Sequence, residues 1–157
     1  MGVYLMVRLT HVVAMVLTLL LMLAAEPVFL TAARAETVEQ MERRSRLAQR
    51  LLRVTQLTML IGLLAGVALV VIAGWSPLAP WLVVAYGLLA LMSIVGRVST
   101  TWQQQVQSAL QPGAGVAAQA ALRAILMDRR ALLARWAVIA IFLTIIAVMR
   151  TKLSFRL

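Results

Sequence analysis

The sequence predicts an all-α integral membrane protein, an up-down four-helix bundle with cytoplasmic helix extensions. Of its 157 residues, 63% are hydrophobic, whereas a soluble domain is closer to half apolar. The apolar residues are gathered into long runs, and the chain length allows about four spans of ~20 residues each. Most Arg and Lys residues lie between runs one and two and between runs three and four. We therefore expect one four-span transmembrane domain over residues 1–157.

The element boundaries follow from the apolar runs and the turn residues. The spans are predicted at about residues 3–32, 54–75, 81–98 and 131–150, and cytoplasmic helices at about 36–53, 99–110 and 116–130. The last of these is expected to run without a break into the fourth span. Two prolines flanked by Trp75 and Trp81 predict a tight, uncharged hairpin at a membrane interface.

The distribution of basic residues predicts the orientation. Eleven of the fifteen Arg and Lys residues belong to the loops after spans one and three or to their edges. Under the positive-inside rule these loops are cytoplasmic and both termini are outside. The six Arg that follow Ala33 also favour a retained first span over a cleaved signal peptide. We expect a multi-pass protein of the bacterial inner (plasma) membrane.

The first cytoplasmic helix carries a stripe of arginines, Arg43, Arg46, Arg50 and Arg53. The net charge of +10 would suggest nucleic acid in a soluble protein. In a membrane protein, arginines at span ends favour anionic lipid headgroups instead, and we expect no nucleic-acid partner. Docking of a protein partner on the stripe is the alternative.

The unusual residues of the first span share one helical face: Arg8, His11, Met15, Met22 and Glu26. His11 is the only histidine, and Met15 follows it by one turn. Imidazole and thioether groups are ligands for haem iron and for copper. A single His excludes bis-His haem ligation within one chain, and the absence of Cys excludes thiolate sites. The favoured interpretation is structural, with a cofactor at His11 and Met15 as the alternative.

Glu26 predicts an ion pair near the inner face. A buried glutamate without a partner would be protonated or very costly. Arg135 and Arg97 lie at comparable depths on spans four and three. The stretch between Arg135 and Arg150 covers only about 21 Å at 1.5 Å per residue, so one of these two arginines must be buried or snorkel. We expect Glu26 to pair with Arg135, with Arg97 as substitute partner. A proton or ion path is the alternative.

Gly62 and Gly66 place small residues one turn apart in the second span. This spacing lets another helix approach closely. The partner is either another helix of the same chain, which we favour, or a second copy.

The layout resembles a group of small, uncharacterised, predicted bacterial integral membrane proteins, distantly like the membrane domain of copper-resistance protein D. The resemblance rests on the early Leu9-Thr10-His11, on the Arg-rich segment before span two, and on Gly74, Trp75, Pro80 and Trp81 of the hairpin. It covers roughly residues 5–150. It implies a four-span fold more than an activity.

No sequence motif points to catalysis: a nucleophile elbow, a zinc-protease motif, a P-loop and a dinucleotide fingerprint are all missing. We therefore expect a non-enzymatic protein without a cofactor, an accessory or scaffold subunit bound to other subunits of a larger membrane complex, with respiratory and photosynthetic assemblies as candidates. The alternative is a haem b or copper protein using His11. A small transporter or channel is a third class, for which more intramembrane polar residues are typical.

Overall fold

The computed structural model is all-helical in the part of the chain that it describes, residues 2–109 and 116–151. Its helices are α1 (Gly2–Ala33), α2 (Val38–Ile72), α3 (Pro80–Ala109), α4 (Val116–Leu126) and α5 (Arg129–Thr151). Among these residues, four stretches are long and apolar enough to cross a membrane: Gly2–Ala33, Glu39–Ile72, Pro80–Arg97 and Leu122–Thr151. The predicted four-helix membrane fold is confirmed.

The first two helices form an antiparallel pair. Thr37 ends the short connection between them, and its side chain accepts a hydrogen bond of 3.4 Å from the backbone N–H of Gln40, as an N-cap does. Within the apolar part, the Thr18 hydroxyl donates to the Thr58 hydroxyl at 2.9 Å. The predicted cytoplasmic helix and the second span are one continuous helix, because no residue between Val38 and Ile72 interrupts helical geometry.

Gly62 and Gly66 are used for packing inside this chain. A Cβ at Gly66 would lie 3.0 Å from Cε1 of His11, and a Cβ at Gly62 would lie 3.0 Å from the sulfur of Met15. Real Cβ atoms are almost never so close to a neighbour, so the absence of side chains here allows α1 to approach α2. The favoured interpretation, packing within one chain, is confirmed for this pair of glycines.

The second antiparallel pair consists of α3 and α5, preceded by the Trp hairpin. Gly74 takes a left-handed φ of 64° after the end of α2, a conformation that glycine adopts without strain. The rings of Trp75 and Trp81 meet edge to face with centroids 5.3 Å apart. Buried apolar side chains then follow one face of each helix: Leu82, Ala85 and Met92 on α3, and Ile139, Phe142 and Ile145 on α5.

The prediction of one unbroken helix from Val116 through the fourth span was wrong. Helix α4 ends at Leu126 and α5 begins at Arg129. The physical reason is Asp128, whose carboxylate accepts a hydrogen bond of 2.9 Å from the backbone N–H of Arg130. Aspartate favours this N-terminal position, because its short side chain satisfies an N–H group that has no partner inside the new helix.

The largest buried cluster lies at the Arg-rich end of the bundle, where the two helix pairs meet. It joins Phe29 of α1, Trp102 and Val106 of α3, and Leu122 of α4, each at most 2% exposed. The predicted extension of α3 beyond the membrane is therefore part of a packed core. Leu110, the turn at 111–115 and the C-terminal Lys152 and Arg156 lie outside the described residues.

Candidate functional site

Glu26 and Arg135 form the predicted ion pair. Nε of Arg135 donates to Oε1 of Glu26 at 2.8 Å, and the two side chains are 6% and 5% exposed for Glu26 and Arg135 respectively. Of the two arginines that bound the short apolar stretch of α5, Arg135 is therefore the buried one, and Arg150 is exposed. The short apolar stretch of α5 is accommodated because its inner arginine is neutralised by α1.

Two aromatic rings hold the guanidinium group of Arg135. Its Cζ lies 4.5 Å from the ring centroid of Trp102 and 5.3 Å from that of Phe29. Those two rings meet edge to face at 4.8 Å, and Nε1 of Trp102 donates to the carbonyl of Ile125 at 2.6 Å. A planar, weakly hydrated guanidinium suits such a site. The sequence gives Trp102 no place in this site; its spacing to Val106 and Leu110 predicts only a shared face of the helix that extends the third span.

The ion pair is incompletely satisfied. Oε2 of Glu26 and Nη1 of Arg135 are both buried, and neither has a hydrogen-bond partner in the described part of the chain. Buried polar atoms are normally paired with protein groups or with ordered water. The pair therefore keeps one acceptor and one donor without a partner in the described part of the chain.

A cavity of about 280 Å³ lies against this ion pair. All four spanning helices contribute to its wall, and exposed lining residues such as Gln56 and Ser93 show that it opens to the surface of the bundle. Arg97, the predicted substitute partner, lines the same cavity. The remaining lining residues are mostly apolar: Met22, Leu52, Thr55, Met59, Met92, Gly96, Val138 and Ile139.

Two further arginines, for which the sequence predicts no role, bind backbone carbonyls in the last turn of α1 and just beyond its end. Nη1 of Arg44 donates to the carbonyl of Thr31 at 2.8 Å, and Nη2 of Arg123 donates to that of Ala35 at 2.8 Å. The last carbonyls of a helix have no partner inside it and carry partial negative charge, so cations stabilise them. These contacts tie α2 and α4 to the end of α1.

The predicted arginine stripe faces outward. Arg43, Arg46, Arg50 and Arg53 are all exposed, and Arg46 donates to the carboxylate of Glu42 at 3.0 Å. The opposite side of α2 is buried at Met41, Ser45 and Ala48. The stripe is thus available to a membrane surface or to a partner, as both interpretations require.

The five residues that share one face of the first span lie in different surroundings in the structure. Nδ1 of His11 lies 2.7 Å from the carbonyl oxygen of Gly62. Because a carbonyl only accepts, Nδ1 carries the proton, and in a neutral ring Nε2 keeps its lone pair. Met15 packs on Gly62, Glu26 and Met22 line the cavity, and Arg8 is exposed. The structure does not bring the stripe together as one site.

The cavity and the ion pair bring three charged side chains, Glu26, Arg97 and Arg135, to one place between the spanning helices. Within residues 2–109 and 116–151, no group of three or more His, Cys, Asp or Glu is arranged to hold a metal ion. The cavity instead combines two guanidinium groups and one carboxylate with an apolar wall. Family models, curated proteins and solved structures gave no match to this chain.

Proposed function

We propose that this protein is a non-catalytic integral membrane subunit, an accessory or scaffold helix bundle in a larger membrane complex. The observation that carries the proposal is that polar side chains lie between the helices of the bundle, whereas large apolar side chains lie on its outer surface. Polar groups of the described spans contact one another, as Thr18 does with Thr58 and Glu26 with Arg135. Large apolar side chains face outward, including Leu64 at 60% and Leu133 at 69% exposed. Such faces fit lipid or the apolar helices of other subunits.

The proposal includes an orientation in the inner membrane. Both termini are outside, and the Arg-rich segments are cytoplasmic, where the exposed arginine stripe meets anionic lipid headgroups. The support is the excess of Arg and Lys in the loops after spans one and three. Respiratory and photosynthetic assemblies are the candidate complexes.

In-cell photo-crosslinking tests the scaffold proposal. A photoreactive residue at Leu64 or at Leu133 should yield a discrete adduct with one other membrane polypeptide, and native mass spectrometry should recover that polypeptide at fixed stoichiometry. The control is Leu78 in the hairpin, which is 80% exposed but lies on no spanning helix face. A lone monomer that crosslinks only to lipid at both helix positions would contradict the proposal.

The second candidate function is binding of haem b or copper at His11. One observation favours it: a histidine that donates from Nδ1 to a backbone carbonyl is oriented as metal-bound histidines are, with Nε2 as the free ligand. Met15 lies one turn away. A Soret band or stoichiometric copper in the purified protein, lost in His11→Ala, would establish this function. If the purified protein has neither a Soret band nor stoichiometric copper, His11 is a packing residue and binds no cofactor.

A further inference from the structure

The cavity beside the Glu26–Arg135 pair has a polar end and an apolar end. The charged lining residues lie nearer the Arg-rich end, and most of the deeper lining residues are apolar. Glu26 on α1, Arg97 on α3 and Arg135 on α5 line the charged end, where Leu52 of α2 is the apolar exception. Met22, Met59, Met92 and Ile139 line the deeper end, where Ser93 is the polar exception. A wall with this gradient matches an amphiphile that has a polar headgroup and a hydrocarbon chain.

The charges at the polar end select a negative headgroup. Arg97 and Arg135 contribute two positive charges and Glu26 one negative charge, so the lining has a net charge of +1. The buried Nη1 of Arg135 lacks an acceptor, and the buried Oε2 of Glu26 lacks a donor. A phosphate monoanion supplies the acceptor oxygens, and a hydroxyl of the same headgroup, or a water bound to it, supplies the donor.

Gly96 keeps the cavity open on the α3 side. A Cβ built on Gly96 meets no heavy atom within 4 Å, although Gly96 lies in the wall between Ser93 and Arg97. A larger side chain at this position would therefore occupy the cavity without displacing the backbone. Gly87, on the same helix, also has nothing within 4 Å of a Cβ, but it does not line the cavity.

We propose that this cavity binds one anionic phospholipid from the surrounding bilayer. Its phosphate lies between Arg97 and Nη1 of Arg135, and one acyl chain lies along Met22, Met59 and Met92. Basic pockets between membrane helices on the cytoplasmic side bind such headgroups in general. The site differs from the arginine stripe of α2, which faces outward and has no cavity. It holds whether or not the protein is a scaffold subunit.

Lipid retention tests the proposal on the full chain. The protein is reconstituted in nanodiscs of equal parts phosphatidylglycerol and phosphatidylcholine, extracted in mild detergent, and measured by native mass spectrometry. The wild type should retain one phosphatidylglycerol per chain. Gly96→Leu should lose this adduct, whereas Gly87→Leu, which adds the same side chain on the same helix outside the cavity, should keep it.

A second pair of variants tests the charge. Arg97→Gln should weaken retention of phosphatidylglycerol by about tenfold or more, which corresponds to the ~1.4 kcal/mol or more of a charge-assisted hydrogen bond. Arg34→Gln removes an exposed arginine at the same end of the bundle that neither lines the cavity nor belongs to the stripe, and it should have little effect. Circular dichroism of each variant establishes that it is folded.

Inorganic phosphate distinguishes the two sources of a phosphate group. In lipid-free detergent, phosphate alone should not raise the melting temperature of the wild type, whereas added phosphatidylglycerol should raise it, and this rise should be absent in Gly96→Leu. Equal stabilisation by phosphate alone would overturn the lipid assignment. Equal retention of phosphatidylcholine, or equal lipid loss in Gly96→Leu and Gly87→Leu, would overturn it as well.

Discussion

At the scale of single residues, the buried charge of Glu26 is tolerated because of its partner Arg135 and of two aromatic side chains that contact this partner. Arg135 neutralises it, and the rings of Trp102 and Phe29 partly offset the hydration that the guanidinium group loses on burial. A buried pair of this kind contributes little net stability, but removal of one partner leaves an uncompensated charge. The pair therefore constrains how α1 and α5 can meet.

Glu26→Ala should destabilise the protein by about 3–5 kcal/mol, because Arg135 would be left buried and unpaired. The double variant Glu26→Leu, Arg135→Met should lose much less, since methionine packs well between aromatic rings. The measurement is denaturant unfolding in detergent micelles. Equal losses in the single and the double variant would contradict a structural role for the pair. A folded double variant that lost an ion or proton flux would favour the transport alternative.

Gly66 provides a second prediction at the residue scale. Gly66→Ile should destabilise the monomer by about 1–3 kcal/mol, because its side chain meets the ring of His11. Combination with His11→Ala should restore part of the loss, as expected for residues in contact. Gly87→Ile is the control, because nothing lies beside that glycine. Additive effects of Gly66→Ile and His11→Ala would contradict the contact.

At the scale of elements, two capping contacts determine where helices begin. Thr37 caps α2 and Asp128 caps α5. The second cap separates α4 from α5, and it allows Leu122 and Leu126 of α4 to be buried in the core at the Arg-rich end.

Asp128→Ala should destabilise the protein by about 0.5–2 kcal/mol, the usual cost of losing an N-cap. Asp128→Asn should be close to wild type, because its side-chain oxygen can accept the same hydrogen bond from the N–H of Arg130. Thermal unfolding followed by circular dichroism at 222 nm compares the three proteins. If Asn were as harmful as Ala, the charge rather than the cap would explain the effect of Asp128.

At the scale of the whole molecule, the proposed orientation can be tested with single cysteines, because the natural chain has none. Leu47→Cys and Leu78→Cys place thiols at positions that are 49% and 80% exposed. A membrane-impermeant maleimide should label Leu78→Cys in intact spheroplasts and Leu47→Cys only in inverted vesicles. Ser45, on the same helix as Leu47, would not be a suitable labelling position, because its side chain is fully buried. Labelling of both positions from the same side would contradict the topology.

The sequence by itself determined the helical class, the four spans, the Trp hairpin and the pairing of Glu26 with Arg135. These features follow from local or one-dimensional properties: apolar run length, turn residues, and the high cost of a charge left alone at a given depth. The packing of Gly62 and Gly66 was favoured because small residues in a span mark a close helix approach.

Only the tertiary structure decided which side chains complete the site. The contact of the Arg135 guanidinium with the rings of Trp102 and Phe29 joins three helices, and no periodicity within one helix encodes such a contact. The separation of His11 and Met15 from Glu26 and Met22 likewise depends on which neighbour covers each turn of α1, with α2 at one end and the cavity at the other. The cavity itself is empty space between four helices, and its position depends on how they pack rather than on the sequence of any one of them.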